Sequence, residues 1–407
     1  MLGTNPSRPI QSMLRQVRDL GPISVRKIFD TEIVTVGEAD LVAELNDDTR
    51  FTKYAGFHLS ALRAIVGDAL FTAENEEPNW QLAHDILAPA FTREAMSGYH
   101  PTMVQVARHL LARWDAAADR RARVDVSADM TRLTLETIGR VGFGYRFGSF
   151  DGDRPHPFVT AMIRSLRYAN LSMPPPLVHR VLAGSARRHR EDVATMERIV
   201  DEVMAARGGG TAPATPDLLD RMLRTAHPES GHRLDPVNIR RQIITFVVAG
   251  HETTSGALSF ALYYLTRDPQ VLARAQAEVD ALWGQTDEPD PAFTDIPKLR
   301  YVRAALDEAL RLWPTAPAYL RAARTDTVLG SRYPMNKGDW AMVLLPLLHR
   351  DPRVWADPER FDPDQFARSL PAKPNPVPRM PTSHPGRGNG PASAASSPCT
   401  KPYWRWR

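Results

Sequence analysis

Cysteine is almost absent from this sequence of 407 residues, which contains only Cys399, and long apolar runs are absent altogether. A single cysteine cannot form an intrachain disulfide, so nothing here favours an oxidising compartment. No apolar run approaches the roughly 20 residues that a membrane-spanning helix needs, and the first residues lack the apolar core of a signal peptide. We therefore predict a soluble, cytoplasmic protein without a membrane span.

A clustered run of basic residues is also lacking. The chain has 51 Lys and Arg against 47 Asp and Glu, a formal net charge of +4, and its arginines are spread along the sequence. This distribution is weak evidence for nucleic acid binding, so no nucleic acid partner is predicted. Hydrophobic residues at 43% and charged residues at 24% are typical of a globular chain with a sizeable core.

Apolar residues recur at helical spacing through most of residues 60–320, with Pro, Gly and Asp between the periodic segments. The clearest helical segments are 104–114, 128–141, 194–206 and 271–282. Strand-like segments are short and comprise 33–36, 328–329 and 340–345. The pattern predicts a mainly α-helical single domain with a small β portion.

The longest predicted helix lies between two Asp-Pro pairs, at Asp235-Pro236 and at Asp268-Pro269. An aspartate before a proline is a typical helix start, so the second pair marks both the end of this helix and the beginning of the next. The sequence between the pairs is apolar on nearly every side. We therefore expect a long, buried helix.

The middle of this helix carries the polar turn Ala-Gly-His-Glu-Thr-Thr at 249–254, which breaks several local rules at once. Gly250 costs about 1 kcal/mol relative to alanine in a helix interior, and a buried carboxylate at Glu252 is expensive unless it is paired. Small residues would let a flat cofactor approach, and an acid beside an alcohol could relay protons to dioxygen. The alternative is a polar turn satisfied inside a helical core, with the Thr253 hydroxyl bonded to a carbonyl one turn earlier.

A second motif places Glu308 and Arg311 on one face of the helix that ends at Trp313-Pro314. One interpretation is an exposed ion pair worth less than about 1 kcal/mol. The neighbouring residues are largely apolar, however, which favours a buried pair whose disruption would cost about 3–5 kcal/mol. The pair is therefore a candidate structural lock.

A third motif places Trp80 and His84 at helical i, i+4 spacing in NWQLAHDILAPAF. Two hydrogen-bond donors on one helix face could hold a carboxylate of a cofactor. A core tryptophan beside a satisfied histidine is the competing interpretation.

The combination and order of these motifs resemble the cytochrome P-450 family. The 249–254 turn is followed by Glu308 and Arg311 in Glu-x-x-Arg spacing, and then by DPERFDPDQF at 357–366. Longer segments are similar to the haem domain of self-sufficient bacterial fatty-acid hydroxylases, in which a diflavin reductase follows in the same chain. These segments include GDALFT, RQIITFVVAGHETTSGALSFALYYL and EALRLWPTAPA. The resemblance covers residues 20–366 and implies a mainly α cytochrome P-450 fold, with an incomplete haem-monooxygenase domain at residues 1–366.

The resemblance implies roles at the cofactor. Glu252 and Thr253 would deliver protons at the distal oxygen site, and Ala249 and Gly250 would line the haem face. Trp80 and His84 would contact a haem propionate, and Glu308 with Arg311 would brace the proximal side. The family's meander usually ends in Arg-Phe, whereas Gln365 precedes Phe366 here. This departure puts the third member of the brace in doubt.

The resemblance also implies the reactants. The cofactor would be haem, iron protoporphyrin IX, and the partners would be O2, a small apolar substrate such as a fatty acid, and an FAD- and FMN-containing reductase that passes electrons from NADPH. That reductase is not present in this chain. Phe71 and Ala316 would bound the substrate pocket. In the fatty-acid hydroxylases an Arg and a Tyr near the N-terminal sheet anchor the carboxylate, but the corresponding segment FDTEIVTVGEADLVAEL at 29–45 offers neither.

The haem-binding loop of the family is missing from the sequence. Members show Phe-x-x-Gly-x-x-x-Cys-x-Gly, whereas Cys399 stands in Ser-Pro-Cys-Thr-Lys-Pro without the shaping glycines. Residues 367–407 are rich in Pro, Gly and Ser and have no helical or strand period, so they read as an irregular tail. We therefore assign no metal ligand.

Reading this tail one frame off recovers the missing loop. Each shifted codon combines the third base of one printed residue with the first two bases of the next, so each junction permits only a few residues. From the Asn389–Gly390 junction onward, the permitted residues include Arg-Ala-Cys-Ile-Gly-Arg-Gln-Phe-Ala-Leu-His-Glu-Ala-Val-Leu. The expected phenylalanine is not permitted at His384–Pro385. We infer a frameshift between Phe366 and His384, which makes the tail out of frame.

Three functions follow as hypotheses. The first is a monooxygenase that hydroxylates an apolar chain. The second is an inactive fragment that lacks the iron-binding cysteine, because the thiolate is what holds the iron and favours cleavage of dioxygen. The third retains activity by using Cys399 as the ligand, although the geometry of the loop matters as much as the thiol.

Overall fold

The computed structural model describes residues 9–18, 20–21, 23–28, 31–74, 77–152, 154–171, 183–208, 216–286 and 289–367. Cys399 and the rest of the tail beyond residue 367, predicted to be out of frame, therefore lie outside the described residues.

Helices make up most of the described chain, and its strands are short. The helices are α1 (Pro9–Val17), α2 (Ala39–Leu45), α3 (Gly56–Val66), α4 (Pro78–Leu87), α5 (Arg93–Asp119), α6 (Val126–Phe143), α7 (Pro157–Leu171), α8 (Ala183–Gly208), α9 (Leu218–Arg224), α10 (Pro236–Arg267), α11 (Pro269–Trp283), α12 (Arg300–Leu312), α13 (Leu345–Leu348) and α14 (Asp364–Ala367). The strands are β1 (Ile23–Ile28), β2 (Thr31–Val36), β3 (Phe51–Lys53), β4 (Ala318–Ala323), β5 (Thr327–Leu329), β6 (Tyr333–Met335) and β7 (Trp340–Leu344). The predicted mainly α fold with a small β portion is confirmed.

The long helix α10 begins and ends where the two Asp-Pro pairs predict. At its start, the Asp235 carboxylate accepts hydrogen bonds from the backbone N–H groups of Val237 and Asn238, at 2.9 and 3.0 Å. At its end, Asp268 caps α11 by accepting from Gln270 and Val271. These bonds satisfy N–H groups that have no partner within a helix, which is why the boundaries are sharp. The 32 residues of α10 span roughly 48 Å at the usual helical rise.

The chain divides into two compact units, and the boundary falls within α10, between Gly256 and Ala257. The first unit combines residues 1–54 with 257–407, and the second comprises residues 55–256. The assignment of residues 1–366 to one haem-monooxygenase domain stays a prediction.

The first unit contains a five-stranded sheet in the order β1-β2-β7-β4-β3. The β2–β7 pair is parallel and the other pairs are antiparallel. Strands β5 and β6 form a separate antiparallel pair. Apolar side chains from β2, α2, β3 and β7 form a core that includes Val36, Leu45, Phe51 and Val343.

The second unit is helical in its described residues. Its core joins α4, α6, α7, α9 and α10 through Ile86, Phe143, Phe158, Leu219 and Ile244. Among the described residues, no helix is long and apolar enough to span a bilayer.

Candidate functional site

The polar turn of α10 is a regular helical turn whose hydroxyl is bonded within the helix. Thr253 Oγ1 donates to the Ala249 carbonyl at 2.7 Å, which is the back-bond of the structural interpretation. The donor hydrogen is thus committed to the backbone, but the oxygen keeps lone pairs that can accept a proton or a hydrogen bond. The role of Thr253 in proton delivery therefore stays a prediction.

The expectation of a buried carboxylate at Glu252 is wrong. Its side chain is exposed, and the buried polar groups of this turn are His251 and Ser255. The helical spacing explains the difference, because consecutive residues point about 100° apart around a helix and only one of these neighbours can face the core. Exposure removes the desolvation cost of the Glu252 carboxylate.

His251 and Thr134 form a buried polar contact that the sequence did not indicate. Thr134 Oγ1, on α6, donates to the His251 carbonyl at 2.9 Å. Burial lowers the pKa of His251 below its ordinary value, so its ring is neutral and Nδ1–H donates to the Val247 carbonyl at 2.9 Å. The contact ties α6 to α10 next to the polar turn.

Gly250 is not required by packing against α6. A Cβ atom added at Gly250 would lie 3.4 Å from Ile138 Cγ1, an ordinary van der Waals contact. The cost of about 1 kcal/mol for a mid-helix glycine is thus unexplained by packing within the second unit. Ala249 and Gly250 are both partly buried, and two small side chains in succession leave room for a flat group.

Trp80 and His84 stack on each other on α4. Their ring centroids are 4.8 Å apart and their planes differ by 12°. His84 Nδ1 lies 2.9 Å from Asp85 Oδ1, and Trp80 packs against the core of the second unit. Indole and imidazole N–H groups are donors suited to a carboxylate.

Phe71 lies on a loop that is fastened to the first turns of α10. Asp68 accepts from Arg241 Nη1 at 2.9 Å, and the Leu70 N–H donates to Gln242 Oε1 at 3.1 Å. Gly67 precedes them at φ +55, a left-handed backbone that glycine adopts without strain. Phe71 itself is 40% exposed, so it is not part of the apolar core.

The remaining sequence-predicted residues belong to the first unit. Ala316 is partly buried and follows α12 just before β4. Glu308 and Arg311 are completely buried on α12, which excludes the exposed ion-pair interpretation. Arg311 Nε donates to Glu308 Oε2 at 2.7 Å and Nη2 donates to Oε1 at 2.9 Å. Burial raises the pKa of Glu308, and the hydrogen bonds from Arg311 act in the opposite direction.

The same guanidinium holds the meander by its backbone. Arg311 Nη1 donates to the carbonyls of His349 and Pro358, and Nη2 donates to that of Arg360, at 2.9, 2.8 and 3.0 Å. The Asp362 N–H in turn donates to Glu308 Oε1 at 2.8 Å. On the meander side, all of these bonds are made by main-chain groups. The Glu308–Arg311 pair therefore holds the meander without an arginine at position 365.

His349 was missed by the sequence analysis, although it precedes the meander in LHRDP. Its side chain is buried, and burial lowers its pKa to about 4. The ring is therefore neutral, and Nδ1–H donates to the Arg311 carbonyl at 3.1 Å. Nε2 has no hydrogen-bond partner within the described part of the chain.

Comparisons with known proteins agree with this fold and these motifs. The profile of the cytochrome P-450 family matches residues 1–381. A bifunctional cytochrome P-450/NADPH–P-450 reductase of Bacillus cereus is 45% identical over 363 residues, which cover 88% of this chain and 34% of the relative. A second such reductase, from Bacillus subtilis, is 44% identical over 358 residues with the same coverage. The chain thus spans about a third of the length of these relatives.

A solved structure gives the same result. The crystal structure of a cytochrome P-450, CYP102L1, superposes with a TM-score of 0.83 at 40% identity and covers 89% of this chain and 78% of that chain. The fold is that of a haem monooxygenase domain. The chain belongs to the cytochrome P-450 family.

The cofactor of this family is haem, held through a cysteine thiolate. The donor pair Trp80 and His84 fits the carboxylates of haem, and Ala249 with Gly250 fits its flat ring. No group of three or more His, Cys, Asp or Glu suited to a metal ion occurs among the described residues. Cys399, the only cysteine of the chain, lies beyond those residues.

We predict that Arg311→Ala lowers the free energy of unfolding by about 3–5 kcal/mol, because Glu308 stays buried without its partner. Chemical denaturation measures the loss. Arg198→Ala is the matched control, since it breaks an ion pair with Glu202 that is exposed on both sides and worth less than about 1 kcal/mol. Equal losses in the two variants would show that the buried pair is no lock.

His349 makes stability depend on pH. The unfolded histidine has a pKa near 6.5 and the folded one about 4, so the neutral ring is favoured in the folded state. Above pH 6.5 the neutral ring of His349 makes its full contribution to the free energy of unfolding. About 3 kcal/mol of that free energy is lost as the pH falls to 4. Denaturation of the protein and of His349→Gln across this range measures the difference. His232→Gln, at an exposed histidine, should leave the slope unchanged; an unchanged slope in His349→Gln would contradict the assignment.

Proposed function

We propose that the gene of this chain encodes a cytoplasmic, haem-dependent monooxygenase, which inserts one oxygen atom of O2 into an apolar substrate such as a fatty acid. The observation that carries the proposal is the 249–254 turn, with Thr253 bonded to Ala249, in a chain 45% identical to a bifunctional cytochrome P-450/NADPH–P-450 reductase. The name of that relative supports NADPH as the electron source and a flavin reductase as the partner.

Haem, when bound, supplies the activation of dioxygen. The residues of this chain then have separable tasks. Exposed Glu252 would take up protons from solvent, and Thr253 Oγ1 would relay one by accepting it on a lone pair and releasing its own hydrogen from the Ala249 carbonyl. Trp80 and His84 hold the carboxylates of the cofactor. The bond from Thr253 to Ala249 keeps the hydroxyl in one orientation, so that its lone pairs have a fixed direction from which to accept a proton.

The substrate proposal rests on Phe71 and Ala316, both apolar and neither fully buried. An exposed phenylalanine on a loop fastened by Asp68 and Leu70 presents an apolar surface at a constant position. The N-terminal segment at 29–45 offers no Arg or Tyr to bind a fatty carboxylate. The apolar chain, rather than its head group, would therefore be the recognised feature.

An inactive fragment is the second candidate for the chain as printed. Cys399 is followed by Thr-Lys-Pro and lacks the flanking glycines of a haem-binding loop. In the shifted frame a Cys-x-Gly segment falls at the Pro391–Ala392 junction. The chain with the restored frame would then carry the activity, and the printed chain would not.

The reduced carbon-monoxide difference spectrum tests this proposal. We predict no thiolate band for residues 1–407 expressed with haem, and a normal thiolate band for the frame-restored chain. The restored chain, given NADPH and a flavin reductase, should oxidise a fatty acid. A thiolate band in the printed chain that disappears in Cys399→Ser would establish Cys399 as the ligand and overturn the frameshift account.

For Phe71→Ala in the restored chain, we predict a changed product distribution with a small change in melting temperature, because an exposed side chain contributes little to the core. Phe158→Ala is the matched control: Phe158 is 1% exposed, so its loss should cost about 3–5 kcal/mol. Chromatography of the products and thermal melts separate the two effects. An unchanged distribution would remove Phe71 from the substrate site.

A further inference from the structure

Three side chains converge on Asp85, the residue that follows His84 on α4. Asp85 Oδ1 lies 2.9 Å from His84 Nδ1. Oδ2 accepts from Gln81 Nε2 at 2.5 Å and lies 3.1 Å from His227 Nε2. Burial acts to raise the pKa of Asp85, but these three hydrogen bonds outweigh it and hold the pKa below its ordinary value. Asp85 is therefore an ionised carboxylate that only accepts hydrogen bonds.

The second histidine, His227, has a defined tautomer. Its Nδ1 accepts hydrogen bonds from the backbone N–H groups of Glu229 and Ser230 at 3.3 and 3.2 Å, so the hydrogen of the neutral ring is on Nε2. Nε2–H thus donates to Asp85. The loop around His227 is closed by backbone bonds from His227 N to the His232 carbonyl and from Gly231 N to the His227 carbonyl, at 2.7 and 2.9 Å. A constrained loop between α9 and α10 therefore holds the carboxylate of Asp85.

Asp85 in turn determines which nitrogen His84 presents to a ligand. Because the Asp85 carboxylate can only accept a hydrogen bond, the His84 nitrogen that faces it, Nδ1, must carry a hydrogen. The stack on Trp80 holds the plane of the ring, so a carboxylate bound by His84 would meet Nε2. A carboxylate meets Nε2 as an N–H donor only when both ring nitrogens carry hydrogen, one facing Asp85 and the other the ligand.

We propose that Asp85 is the positioning residue that fixes the orientation of His84 for a haem propionate, and that His227 holds Asp85 in place. The proposal rests on the proposed haem-dependent function. The strength of the propionate contact then depends on a relay of three residues, His84 and Asp85 on α4 and His227 on the α9–α10 loop, rather than on His84 alone. Partners of this kind behind a ligand residue are worth about 10–100-fold in affinity at metal sites.

The test compares two probes bound by residues 1–407: haemin, and haemin dimethyl ester, whose propionates carry no charge. We expect Asp85→Asn to weaken haemin binding about 10-fold, measured by Soret absorbance, and to change binding of the ester by less than about 2-fold. His227→Ala should act in the same direction, and His227→Gln should restore affinity because its amide N–H can still donate to Asp85.

Asp192→Asn is the matched control, since Asp192 is a buried aspartate of the same unit that pairs with Arg164 instead. Asp192→Asn should weaken the binding of both probes equally or of neither. Equal weakening of haemin and of its ester by Asp85→Asn would overturn the proposal, because a purely structural aspartate would not distinguish the two probes.

Nuclear magnetic resonance of the haem-free chain separates failure of this proposal from failure of the proposed function. The ¹⁵N shifts of the neutral rings should place the hydrogen of His84 on Nδ1 and that of His227 on Nε2, and Asp85→Asn should release His84 from its tautomer. If residues 1–407 bind no haemin but these tautomers are found, the relay stands, and the same titrations on the frame-restored chain decide whether the haem-dependent function fails. A His84 ring protonated at Nε2 alone would overturn the relay whatever the chain binds.

Discussion

The buried contact between Glu308 and Arg311 organises the first unit. Two opposite charges inside a protein lose their hydration, and their mutual attraction offsets that loss only when the remaining donors and acceptors are also satisfied. Here all five N–H donors of Arg311 are used, two by Glu308 and three by the backbone carbonyls of His349, Pro358 and Arg360. The meander has little regular structure of its own, so its course depends on this one guanidinium.

His349 extends the same arrangement. The backbone carbonyl of His349 accepts from Arg311, and its ring donates to the Arg311 carbonyl, so the two residues are joined in both directions. The neighbouring Arg350 pairs with Glu359 at 3.0 Å and lies over the ring of Trp313. The brace is thus a network that joins α12 to the meander at several points, which explains how it tolerates Gln365.

The part of α10 that lies in the second unit combines an apolar helix with a polar turn. Asp235 caps its start and its buried side chains pack into the core of the second unit, so the rest of the helix offsets the cost of Gly250. The Thr134 bond to the His251 carbonyl and the Thr253 bond to the Ala249 carbonyl occupy backbone acceptors next to the turn. Two carbonyls next to the turn thus have side-chain partners, and Glu252 is exposed. The buried Thr245 Oγ1 of the same helix has no hydrogen-bond partner among the described residues.

Much of this protein follows from its sequence alone. The Asp-Pro pairs determine both ends of α10, because proline and a capping carboxylate act locally. Helical periodicity locates α5, α6, α8 and α11, and apolar runs locate β2, β5 and β7. The order of the polar turn, the Glu-x-x-Arg pair and the meander identifies the family, and the codon constraint predicts a haem loop displaced into another reading frame.

Tertiary structure decided what depends on partners distant in the sequence. The strands β1, β3, β4 and β6 carry weak local signals, and they form because neighbouring strands supply their hydrogen bonds. The exposure of Glu252, the burial of His349 and the tautomer of His227 depend on which groups surround each side chain after folding. Arg311 shows the difference most clearly. Its spacing from Glu308 can be read from the sequence, but its bonds to Pro358 and Arg360 form only when the meander folds against α12. Every residue has a backbone carbonyl, so the sequence does not indicate which carbonyls will accept these bonds.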